Sequence, residues 1–175
     1  MKKTIAAIAL SLLSAGAFAD LIFEHEGHTF RLVENPASWD EATATAAAMS
    51  LGGETGYLAR IDSASENNAI LSALSAHLSP AQLANTIAND NSDAPFVWLG
   101  GSDEGREGQW LWSNNGDPFW QGDFNGNPVA GRFTNWGVQP DNAGGAENAL
   151  ALGLANWPKP FNDLGSAGQW NDLEE

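Results

Sequence analysis

The chain has 175 residues, 43% of them hydrophobic, and no cysteine. That content suits one domain with a real core and excludes wholesale disorder, while the missing thiols exclude cysteine nucleophiles, disulfides and thiolate zinc sites. Twenty-two acids against seven bases give a formal charge of −15, a surface that repels nucleic acid and anionic membranes and attracts cations.

Met1-Lys2-Lys3, the apolar run from Thr4 to Leu13 and Ala17-Phe18-Ala19 together read as a secretory signal peptide ending at Ala19. The run is too short to span a bilayer, and no later stretch is apolar enough to do so. The expected organisation is a signal peptide over 1–19 and one domain over 20–175, secreted or extracellular.

Leu21 to Val33 alternates around Gly27 and predicts a hairpin. Ser38-Trp39-Asp40-Glu41 is a capping box opening a helix through Trp39, Ala42, Ala46 and Met49, which Gly52-Gly53 stops. Tyr57 to Ile61 reads as a strand. Ser63-Ala64-Ser65-Glu66 is a second capping box, opening a helix with Ile70, Leu71, Leu74 and Leu78 inward, and Ser79-Pro80-Ala81-Gln82 caps a third, short one. His25, His28 and His77 have no ligand spacing and read as ordinary surface or core residues. Asn89 to Pro95 is a polar loop whose Asp and Asn residues read as turn formers, with a ligand role left open.

Phe96 to Gly100 and Gln109 to Trp112 predict two strands. From Ser113 to Gly145 there is almost no periodicity, and a loop of that length in a small domain usually has a function. Glu147 to Leu154 and Gly168-Gln169-Trp170 return to strand character. Within Asp123-Phe124-Asn125-Gly126-Asn127 the alternation resembles the start of a calcium loop, but Pro128 stands where such loops need glycine, so a turn is the reading. Gln139, Asp141, Glu147, Asn171 and Asp172 offer three carboxylates and two amides from loop-like sequence. Calcium, a hard cation, takes that all-oxygen ligand set; softer metals prefer thiolate or imidazole.

Ser38-Trp39-Asp40-Glu41-Ala42, Leu58-Ala59-Arg60-Ile61, Glu66-Asn67 and Val97-Trp98-Leu99-Gly100-Gly101 form the first half of an ordered series. Glu107 to Trp112, Phe133-Thr134-Asn135-Trp136, Gln139-Pro140-Asp141, Glu147-Asn148-Ala149 and Trp170-Asn171-Asp172 complete it. In this order the motifs resemble a C-type lectin-like domain of the cysteine-free kind found in secreted bacterial proteins. The resemblance implies an α+β fold in which two helices flank small antiparallel sheets below a long-loop calcium region. It places Gln139, Asp141, Glu147, Asn171 and Asp172 on the calcium and ligand site, with a cis peptide before Pro140. It also implies a glycan partner whose vicinal hydroxyls coordinate the ion, with Gln-Pro-Asp resembling the galactose-type variant.

The chain departs from that pattern in four places. Asn142-Ala143-Gly144-Gly145 follows Gln-Pro-Asp without the aromatic that galactose binders stack on the sugar; Trp120 or Trp157 is a substitute, with packing as the ordinary role of a Trp set against it. Ala149 stands at a usual cysteine position. Phe161-Asn162-Asp163-Leu164 nearly copies Trp170-Asn171-Asp172-Leu173 and is an alternative source of the last two ligands. The family's closing C-terminal strand is missing after Glu175, so the expectation is either a fragment or an N-terminal strand that lacks its partner. No carboxylate pair stands out for glycosidic chemistry; the expected role is binding, not catalysis. The expected partner is a glycan or, as the alternative, a protein or other surface.

Overall fold

The computed structural model describes residues 4–10, 21–34, 37–88, 90, 92–158 and 163–175. Local chemistry sets its three helices. In α1 (Trp39–Ala47) the Ser38 hydroxyl accepts from the Glu41 N–H at 3.3 Å and the Glu41 carboxylate accepts from the Ser38 N–H at 3.1 Å, the reciprocal box read from sequence. α3 (Pro80–Ala84) starts the same way on Ser79 and Gln82, with proline in its first turn. α2 (Ala64–His77) is capped by Ser63 alone. The Glu66 carboxylate turns elsewhere, to the Asp62 N–H at 2.7 Å and to His28 Nδ1 at 2.7 Å, tying the helix start to the N-terminal hairpin. His77 likewise pairs with Glu34 at 3.0 Å. Two of the three histidines therefore join helix α2 to one strand.

The strands are β1 (Thr4–Leu10), β2 (Ile22–His25), β3 (His28–Glu34), β4 (Ser50–Leu51), β5 (Glu54–Thr55), β6 (Tyr57–Leu58), β7 (Phe96–Ser102), β8 (Gln109–Trp112), β9 (Pro118–Gln121), β10 (Asn127–Pro128), β11 (Glu147–Gly153) and β12 (Trp170–Glu174). The main sheet runs β10-β9-β8-β7-β1-β3-β2, with β11 also pairing with β7, β12 with β11, and β6 with β1; β4 and β5 form a separate ribbon. Pairings are antiparallel except those of β1 with β3 and β6. The protein is a mixed α+β fold with few helices on a curled, largely antiparallel sheet.

Two expectations change. β9 lies in the stretch read as featureless: Phe119 and Trp120 are buried there, and the alternation is too short to show against flanking Gly, Asn and Pro. The unpaired N-terminal hairpin is also not what is found. Thr4–Leu10, the apolar part of the expected leader, lies between β7 and β3, parallel to β3 from Thr4↔His28 to Leu10↔Glu34 and bridged to β7 at Ala9↔Trp98. A leader's apolar region and a strand inside a sheet call for the same residues, so the sequence reads equally well as either.

The core is aromatic. Trp112 stacks on Phe119 at 4.3 Å between ring centroids, Trp110 meets Trp136 edge-on at 4.9 Å, and Trp170 meets Trp112, Phe119, Phe133 and Trp136 edge-on. Such edge-to-face pairs add about 0.5–1.5 kcal/mol each beyond area burial, and with Ile70 and Leu74 of α2 they form one continuous cluster. Trp157 is packed separately, between Gly137, Gly153 and Gly165; a Cβ on Gly153 or Gly165 would run into its ring. Gly165→Ala is therefore expected to destabilise the chain by about 1–3 kcal/mol, the usual range for overpacking. An unchanged denaturant midpoint would show that the ring has room to move.

Candidate metal site

The loop bearing Gln139 is held against the start of β12 by backbone. Trp170 N–H donates to Asn135 O at 2.8 Å and Gly137 N–H to Trp170 O at 3.0 Å. Side chains reinforce the contact: Asn135 Nδ2 donates to Gly168 O at 2.7 Å and Gln169 Nε2 to Trp136 O at 3.0 Å. From beneath, Asn67 of α2 accepts from Trp170 Nε1 at 2.9 Å and donates to Gly168 O at 2.8 Å. Asn67 is 2% exposed, so a buried helix residue fixes the strand that presents Asn171 and Asp172. The Gln139–Pro140 peptide is cis, as the resemblance implies; Trp157–Pro158 is a second cis bond that no signal in the sequence announced.

Past Pro140 the loop folds back on its own carboxylates. Asp172 accepts from the N–H groups of Asp141 (3.3 Å) and Asn142 (2.8 Å), and Glu147 from that of Ala143 at 2.7 Å. Asn142 closes the turn at φ +48°, its side-chain oxygen accepting from the Glu147 N–H at 3.1 Å; asparagine tolerates that left-handed conformation better than most residues. The outcome is that one oxygen each from Asp141, Glu147 and Asp172 lie within 4.8 Å of one another.

Three clustered carboxylates alone would be a liability. Burial, and then the neighbouring carboxylates, push Glu147 up to about 7; burial is again the first cause, with Asp141 adding to it, for Asp172, also raised to about 7. Gln139 and Asn171 are 5% and 3% exposed, yet Gln139 Oε1 and Asn171 Oδ1 have no hydrogen-bond donor. A buried amide oxygen without a partner costs about 1–3 kcal/mol. Unsatisfied acceptors flanking mutually repelling acids are a chemistry that a hard cation would satisfy, so the residues present fit calcium.

The alternative pair fares differently. Asn162 lies outside the described residues, and Asp163 is exposed and outside the carboxylate cluster. Trp157 (1% exposed) and Trp120 (8%) are both buried, so of the two roles open to them packing is the one found, and neither replaces the missing aromatic.

Two acids beyond the residues singled out also reach the site, and a third, Asp103, lies against one of them. Asp90, in the loop whose role the sequence left open, accepts from Asn171 Nδ2 at 3.4 Å and helps to raise Glu147. Glu107 accepts from Asn142 Nδ2. Asp103, 2% exposed, accepts from the Gly108 N–H at 2.7 Å through one oxygen, while the other has no partner. Burial, then Glu107, pushes Asp103 up to about 6. The folded chain thus binds a proton there that the unfolded chain releases, so this group's contribution to stability falls as pH rises from its ordinary carboxyl value through about 6. In chelator, Asp103→Asn should flatten that part of the melting-temperature profile and raise stability at neutral pH by about 1–2 kcal/mol. A variant profile parallel to wild type would show that the charge is compensated.

No protein-family model matches the chain. It is 29% identical over 139 residues to halomucin of Haloquadratum walsbyi, covering 77% of this chain but 1% of halomucin. It is 40% identical over 78 residues to perlucin of Haliotis laevigata, covering 44% of this chain and 36% of perlucin. The chain therefore spans about a third of one of these relatives and a very small part of the other. Among the described residues no helix is long and apolar enough to cross a membrane.

Proposed function

We propose that this chain is a secreted, calcium-dependent carbohydrate-binding module of the C-type lectin-like type. The observation that carries the reading is the pairing of the Asp141–Glu147–Asp172 cluster with two buried amide oxygens, on Gln139 and Asn171, that lack any donor. The motif series, the cis bond before Pro140 and the similarity to perlucin support it.

Gln139, Asp141, Glu147, Asn171 and Asp172 are the proposed ligands of the ion. When bound, calcium supplies a centre that two vicinal sugar hydroxyls can coordinate, and the same side chains offer those hydroxyls donors and acceptors. Gln-Pro-Asp favours a galactose-type pair. The chain's own work is to hold the oxygens in place, through Asn67, Trp170 and the turn at Asn142, and its role is binding without catalysis. One such contact buries little surface, so useful avidity comes from several copies. Isothermal titration against a broad glycan panel in saturating calcium is the test; silence across the panel overturns sugar binding.

One observation favours a second reading. Trp120 and Trp157 are buried and offer no face beside Gln139-Pro140-Asp141, and a calcium-stabilised domain that binds a protein or other surface instead of sugar needs none. A calcium-raised melting temperature with a silent glycan panel selects it.

A further inference from the structure

Beside the carboxylate cluster, between the loop after α3, the start of β7 and the end of β12, lies a cavity of about 340 Å³. Its apolar wall includes Ile87, Phe96, Trp98 and Leu173, with Trp98 fixed by a 3.1 Å hydrogen bond from Nε1 to Ala37 O. Its charged lining is Asp90, Glu147, Glu174 and Glu175, and no Lys, Arg or His lines it. Glu147 and Glu174 are also paired directly across β11 and β12. Like charges in that position destabilise a sheet unless a counter-charge answers them.

We propose that this cavity is a second ligand site, which takes an arginine or lysine side chain presented by a partner polypeptide. The volume is at the small end of ligand pockets and far exceeds what a metal ion fills. An inorganic cation would use the carboxylates and leave the apolar wall idle; a long cationic side chain uses both. Its methylene stem packs on Ile87 and Leu173, its head lies near the Trp98 ring, where cation–π attraction favours arginine, and Asp90, Glu174 and Glu175 supply the countercharge when Glu147 holds the ion. The formal charge of −15 would draw a basic segment to the molecule, and the acids of the cavity would hold it there. The cavity borders the proposed calcium set through Glu147, and Glu174 and Glu175, which are not among those ligands, are the residues that tell the two sites apart.

The test uses the full chain in saturating calcium, titrated with an acetylated, amidated Leu-Arg-Leu tripeptide and with the same peptide carrying citrulline, which keeps the shape and loses the charge. Backbone amide shifts report the location. Saturable binding is expected, with shifts confined to Ala37 and residues 86–98, 143–147 and 173–175, and the arginine peptide about tenfold tighter than its neutral counterpart. The double variant Glu174→Gln with Glu175→Gln should weaken the arginine peptide several-fold while leaving the calcium-induced rise in melting temperature intact. That melt on the same samples separates failure here from failure of the calcium site. Equal affinity for the two peptides, no saturable binding, shifts elsewhere on the molecule or an unweakened double variant overturns the proposal.

Discussion

Calcium should raise the melting temperature of the chelator-treated chain by about 3–10 °C. The reasoning starts from ligand count: three carboxylates in an open extracellular-type site suggest a dissociation constant on the order of 0.1–1 mM. At about 10 mM calcium, mass action then adds roughly 1.5–3 kcal/mol to the folded state, and each kcal/mol moves the midpoint of a domain this size by about 2–4 °C. Asp141→Ala and Glu147→Ala should each abolish the response. Asp141 is exposed, so its loss should leave the metal-free midpoint almost where it was. Glu147→Gln is more discriminating. It keeps an acceptor for the Ala143 N–H and removes a partly buried charge facing Asp172 and Asp141. The variant should melt higher than wild type in chelator at neutral pH and show little or no shift with calcium. If Asp141→Ala and Glu147→Ala both respond to calcium as wild type does, the ligand assignment is wrong.

Deleting residues 1–19 should have the largest effect on stability. β1 contributes a strand of seven residues hydrogen-bonded along β3. At a net value of about 1 kcal/mol per bond, losing such a ladder removes roughly 3–6 kcal/mol. The deletion also opens the edges of β3 and β7, and bare inner edges template association. The shortened chain is expected to melt well below the full chain and to form concentration-dependent oligomers in size-exclusion chromatography with light scattering. A synthetic peptide of residues 2–12 added in trans should restore part of the loss. If the deleted chain melts at the same temperature and stays monodisperse, β1 is dispensable, and the leader can depart at no cost to the domain. The prediction bears on secretion directly, because the expected cleavage after Ala19 would remove the strand.

Helix boundaries were the most legible part of the chain. Two of the three helices begin on complete capping boxes, a signal confined to four residues and indifferent to what packs above. Glu66 shows the limit: its sequence position is that of a reciprocal cap, but a histidine 38 positions away claims the carboxylate. The strand read over Tyr57 to Ile61 shrinks to Tyr57–Leu58, the part that pairs with β1, and Ala59 keeps a single bond to β7 through Gly100. Within the site, Asp141, Glu147 and Asp172 were legible by residue type and order, and the structure brings their oxygens together. Asp90, Asp103 and Glu107 were not. Each is an acid in a polar turn with other acids beside it, indistinguishable by sequence from a turn former until the chain is folded. The burial of Trp157 was equally hidden, because it depends on three glycines from separate segments closing round one ring.

The aromatic cluster has an optical consequence. Trp170 is next in sequence to Asn171, its indole lies edge-on to Trp112 and Trp136, and Trp110 and Trp120 in turn approach Trp136. Indoles at such separations share their electronic transitions, so the near-ultraviolet circular dichroism of the folded chain should come mainly from coupled rings and not from isolated ones. A displacement of β12 by a few tenths of an ångström would alter that coupling before any backbone signal changed. The protein thus carries a built-in chromophore assembly wired to the strand that presents Asn171 and Asp172, through which events at the carboxylates can be followed without a label.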